Sequence, residues 1–82
     1  MSYGLRLKEI LDKCELSEEE RVKFEDFMDG KYLKNKEAYP NFEESLRQAI
    51  EKDPILNAAY KKIRFFKQWA NITELAWKYN LK

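Results

Sequence analysis

The chain predicts an all-α fold: a small bundle of four or five helices in a single domain, residues 1–82. Three observations predict it. Apolar residues recur at helical spacing along most of the chain, and no segment alternates apolar and polar like a strand. Helix-start chemistry recurs at Ser17, Asn41 and Asp53, where a short oxygen-bearing side chain can accept from free backbone N–H groups. Only two Gly and two Pro interrupt 82 residues, a length that suits one domain with a small core.

Helix one is expected over residues 3–14, because Tyr3, Leu7, Ile10, Leu11 and Cys14 fall on one face while Leu5 falls off it. Ser17 starts helix two, with Glu20 completing a capping box and Glu18-Glu19-Glu20 favoured by the helix dipole. Phe24, Phe27 and Met28 form its apolar stripe, and Gly30 is its expected stop. Residues 31–40 read as a loop or a single helical turn, since Pro40 disfavours helix at Tyr39. Asn41 with Glu44 starts helix three, whose stripe is Phe42, Leu46, Ala49 and Ile50.

Asp53-Pro54 starts helix four, because Asp caps the free N–H groups and Pro fits the first turn. Its pattern predicts a central helix over 54–70. On a 100° wheel its apolar arc spans about 220°, more than one core-facing stripe needs. Ile55, Leu56, Ala59, Ile63, Phe66 and Ala70 form the expected core side. Ala58, Lys62, Phe65 and Trp69 form a flanking strip in which Lys62 must reach out to water. A short fifth helix is expected from Asn71 or Thr73, with Ile72, Leu75, Ala76 and Tyr79 inward and Trp77 outward.

The same residues exclude most chemistry. The sequence has no histidine and a single cysteine, which removes Ser-His and Cys-His dyads and the usual zinc sets. Gly occurs only at 4 and 30, so no Gly-rich phosphate loop can form. The acidic run at 18–20 lacks the alternating ligands around a Gly that a calcium loop needs. The expectation is a non-enzyme with no catalytic residue, no cofactor, no metal and no small-molecule substrate. Cys14 reads as a small core filler on the buried face of helix one. A lone Cys implies a reducing compartment, and no apolar run has signal or membrane-spanning length. A cytoplasmic protein that does not enter a membrane is expected.

Charge is balanced overall but not along the chain. Sixteen Lys and Arg face fifteen Asp and Glu, net +1. Residues 1–30 hold five basic and nine acidic side chains, whereas residues 31–82 hold eleven and six. Two halves that attract each other account for this asymmetry, and it can also orient a partner or a second copy.

Two functions from different classes remain. The first is a regulatory or accessory protein that binds a protein partner, or itself, through Phe65, Trp69 and Trp77 with Lys61 and Lys62 beside them. Trp and Phe outside the core stripes, with neighbouring cations, are the residue types that anchor interfaces. The second is a DNA-binding regulator that places Lys61, Lys62, Arg64, Lys67 and Lys78 on phosphates. A local pattern bears on it. Ile72-Thr73-Glu74-Leu75-Ala76-Trp77-Lys78-Tyr79-Asn80-Leu81 resembles the first helix of a helix-turn-helix DNA-binding unit and the start of its turn. That resemblance implies nucleic-acid binding. It covers ten residues and ends before the position of a recognition helix, the element that reads bases. The small size, low Gly content and Lys/Glu/Asn-rich composition also resemble accessory proteins of phages or plasmids.

Overall fold

The architecture follows from where each helix begins and what stops it. A computed structural model describes residues 3–29 and 42–78. These form five helices and no strand: α1 (Tyr3–Asp12), α2 (Glu18–Met28), α3 (Phe42–Lys52), α4 (Pro54–Phe65) and α5 (Trp69–Lys78). The all-α bundle expected from the periodicity is the fold. Gly30, the 31–40 segment, the Asn41 cap, Tyr79 and the side chain of Tyr3 lie outside the described residues.

Both of the describable caps expected from the sequence are present. The Ser17 hydroxyl accepts from the Glu20 N–H at 3.2 Å, and Glu20 Oε1 accepts from the Ser17 N–H at 2.8 Å. Asp53 Oδ1 accepts from the N–H groups of Ile55 and Leu56 at 3.0 and 3.2 Å, with Pro54 following in the first turn. Each cap satisfies backbone donors that a helix start otherwise leaves unpaired.

α4 packs against α2 and α3, and α1 packs against α5. Phe24, Phe27, Met28, Phe42, Leu46, Leu56, Ala59, Ile63, Ile72, Leu75 and Ala76 are buried, together with Leu7, Ile10, Leu11 and Cys14 of the N-terminal segment. The described members of the expected stripes of α1, α2 and α5 are therefore in the core. In α3, Ala49 and Ile50 are only half-buried. Arg21 ties α1 to α2, donating to Asp12 and to the Lys8 carbonyl while also bonding Glu25. Cys14 is fully buried, and its Sγ lies 3.4 Å from the Ile10 carbonyl.

α1 stops at Asp12, two residues before the expected end. Lys13 and Cys14 donate to Ile10 and Leu11 in tight turns, and Glu15 takes a left-handed φ of 51°. The larger correction concerns helix four, which ends at Phe65 instead of running to residue 70. The Gln68 N–H donates to the Ile63 carbonyl and the Lys67 N–H to the Arg64 carbonyl, both at 3.0 Å. This is the paired pattern of a Schellman turn, and Lys67 occupies its left-handed position with φ 59°. Glycine or asparagine normally marks that position, so the stop was invisible in the sequence. α5 then begins at Trp69, not at Asn71 or Thr73. The Gln68 carbonyl accepts from the Ile72 N–H, and the Gln68 side-chain oxygen accepts from Asn71 Nδ2 at 2.9 Å.

The stop rearranges the aromatic residues. Phe66 leaves the helix and is half-buried against the core, and Ala70, expected inside, is exposed. Trp69 turns inward. Its ring stacks on Phe42 at 5.8 Å and meets Phe24 and Tyr60 edge-on at 6.4 and 4.8 Å. One side chain at the start of α5 thus touches α2, α3 and α4. Trp69→Ala should lower stability by about 2–4 kcal/mol, somewhat below a fully buried aromatic deletion because the ring is only half-buried. Thermal denaturation followed by circular dichroism measures it, and an unchanged midpoint would rule out the junction.

Lys67→Gly tests the turn directly. A left-handed non-Gly residue costs roughly 1 kcal/mol, so this substitution should raise stability by up to about that amount. A destabilised Gly variant would show that the helix does not stop there.

Candidate functional site

The surface singled out from sequence is built at the end of α4 and along α5. Lys61, Arg64 and Phe65 are spaced by three and four residues, which puts them on one face of α4, and all three are exposed. Phe65 is 77% exposed, and among the described aromatic rings it touches only Phe66, edge-on at 5.1 Å. Arg64 folds back one turn. Its Nη1 donates to the Tyr60 hydroxyl at 3.3 Å, and its guanidinium carbon lies 5.7 Å from the Tyr60 ring centre. Lys67 follows, exposed, in the Schellman turn.

Trp77 is 66% exposed and Lys78 beside it is exposed too. They sit near the far end of α5, roughly 12 Å along the helix axis from Trp69. The structure therefore puts Lys61, Arg64 and Phe65 on one face of α4, with Lys67 in the turn that follows and Trp77 and Lys78 at the other end of α5 from that turn. Trp69, read from sequence as a third exposed anchor, is instead the aromatic junction of the core. Its placement on the flanking strip assumed a helix continuing through residue 70.

Lys62 is likewise not a spare cation. Its Nζ donates to Glu20 Oε1 at 2.7 Å. Glu20 is buried, 8% exposed, and receives the Ser17 N–H on the same oxygen. A second bridge, Lys23 to Asp53 at 3.3 Å, joins the same two helices. The earlier residue of α4 pairs with the later one of α2, so the two helices run antiparallel. Lys62 was expected to snorkel toward water. It does so only in part, and the carboxylate of another helix holds its end.

The two carboxylates of this seam are shifted in the same direction. Burial alone would raise Glu20, but bonds from the Lys62 ammonium and from the Ser17 N–H and hydroxyl hold its carboxyl below the ordinary range. Burial likewise opposes ionisation of Asp53, and the Leu56 N–H, Lys23 and the Ile55 N–H overcome it. Burial pushes the Cys14 thiol up, which disfavours the reactive thiolate.

Because both folded-state values are lowered, the stability they contribute is present above the unfolded carboxylate range, about pH 4. It is lost as pH falls through the lower folded values. Glu20→Gln keeps a side chain that can still complete the capping box but removes the charge. That variant should be less stable at neutral pH and should show a shallower loss of thermal stability between about pH 5 and pH 2 than wild type. Parallel acid slopes in melting experiments would contradict the assignment.

Among the described residues, no three His, Cys, Asp or Glu side chains gather as a metal-holding group, and no helix is long and apolar enough to cross a membrane. Comparison with protein-family models, curated proteins and solved structures gave no match.

Proposed function

We propose that this protein is a non-enzymatic helical module, a regulatory or accessory factor of the cytoplasm, that binds a protein partner through the end of α4. The observation that carries this reading is Phe65, a large aromatic side chain 77% exposed on a well-formed helix and flanked by Lys61 and Arg64. An exposed aromatic between cations suits an interface anchor, since it contributes apolar area at small entropy cost while the cations select the partner's charge. Trp77, 66% exposed on α5, is a second anchor for a partner long enough to reach it.

The cations alone favour a nucleic-acid partner less. Lys62 and Arg64 lie in the last turn of α4, where the helix dipole favours positive charge whatever the function. Lys62 is held by Glu20 and Arg64 by Tyr60, which leaves Lys61, Lys67 and Lys78 for phosphates.

The test is affinity capture from the native cells with and without nuclease. Wild type should retain a nuclease-resistant protein partner. Phe65→Ala should weaken its binding by about 2 kcal/mol or more without lowering the melting temperature appreciably. Capture abolished by nuclease, together with loss on Lys61→Ala and Lys67→Ala but not on Phe65→Ala, would identify phosphate contacts instead.

A further inference from the structure

The charges that α2 and α4 leave over fall into two groups of opposite sign. Glu15, Glu18 and Glu19 are exposed around the start of α2 and make no ion pair among the described residues. Lys61 and Lys67 are exposed at the end of α4 and make none either. The helices are antiparallel, and the 2.7 Å bond between Glu20 and Lys62 fixes their register. The acidic start of α2 therefore lies beside the basic end of α4, at one end of the bundle. Each group has an exposed apolar neighbour. Val22, 49% exposed, is one turn from Glu18 and Glu19 on the side of α2 away from Glu20, and Phe65, 77% exposed, is one turn from Lys61.

We propose that this end of the bundle is a self-complementary surface on which a second copy of the chain seats. Glu18 and Glu19 of one protomer oppose Lys61 and Lys67 of the other, and Phe65 is covered between them. This inference rests on the reading of Phe65 as a docking anchor and names its occupant.

The argument is one of symmetry and charge. In a two-fold interface each patch meets its own image, so a surface that works must carry both members of every pair. Glu19 and Lys61 each neighbour the Glu20–Lys62 bridge in sequence, so acid, base and Phe65 share this end of the α2–α4 seam. A partner of uniform charge would be attracted by one group and repelled by the other. Exposed ion pairs mainly set orientation and selectivity, so burial of Phe65 carries the affinity. The association is therefore weak, concentration-dependent and sensitive to salt.

Sedimentation velocity of the full chain across a wide concentration range tests this. Wild type should pass from monomer to dimer at about 0.05 M salt. Its dissociation constant should rise by about tenfold or more at about 1 M, where charges are screened within about 3 Å. Phe65→Ala should weaken the dimer by about tenfold or more. The double variants Glu18→Lys/Glu19→Lys and Lys61→Glu/Lys67→Glu should each remain monomeric, and an equimolar mixture of them should recover the dimer. Circular dichroism melts of every variant verify that folding is retained.

A wild-type protein that stays monomeric at all concentrations, or charge-reversed variants that fail to rescue each other, would overturn the proposal. If a monomeric wild type still captures another protein through Phe65, the second copy alone is excluded and the docking role of Phe65 stands. If neither association depends on Phe65, the docking role fails as well.

Discussion

Trp69 sits where four of the five helices meet, and most of the fold depends on its ring being there. It is the first residue of α5, yet it packs on Phe24 of α2, Phe42 of α3 and Tyr60 of α4. A domain this small buries a limited fraction of its surface, so one large ring shared by several helices does work that larger proteins distribute over many side chains. The ring reaches that place only because α4 stops. If the helix continued, residue 69 would project onto the flank beside Phe65 and Lys62. The Schellman turn at Phe66–Gln68 redirects the chain, at the cost of holding Lys67 in a left-handed conformation.

A polar seam complements this apolar junction. Glu20 closes the capping box of α2 and then binds Lys62 of α4, while Asp53 caps α4 and then binds Lys23 of α2. Each carboxylate thus serves a helix start and a neighbouring helix together. The two bridges set the antiparallel register of α2 and α4. Lys62, partly exposed, adds modest stability, since exposed ion pairs are screened by water and salt. Glu20 is the costlier partner to remove, because its carboxylate also completes the capping box at the start of α2.

How much of this could be read from the residues depended on whether a physical signal was local. The caps at Ser17 and Asp53 were legible because side-chain chemistry and the first turn sit within four residues of each other. The core of α1, α2 and α5 was legible because burial follows helical spacing there. The end of α4 was not, since Lys at a left-handed position carries no compositional mark and Gly or Pro is absent nearby. One hidden stop moved Trp69 from the candidate site to the core and turned Ala70 outward. The pairing of Lys62 with Glu20 spans 42 residues, and no spacing rule reaches that far. The exposure of Phe65 and Trp77 was legible, because both fall off their helices' inner faces wherever α4 ends.

The central claim is that the two tryptophans occupy opposite environments, Trp69 at the helix junction and Trp77 on the outer side of α5. Fluorescence of the single-tryptophan variants Trp77→Phe and Trp69→Phe, with acrylamide quenching, tests it most directly. The protein retaining Trp69 should emit at shorter wavelength and resist quenching until it unfolds. The one retaining Trp77 should emit at longer wavelength and quench more readily, provided circular dichroism shows that it remains folded. Matching spectra and quenching for the two, or a shielded Trp77 with a solvated Trp69, would contradict the packing on which the whole account rests.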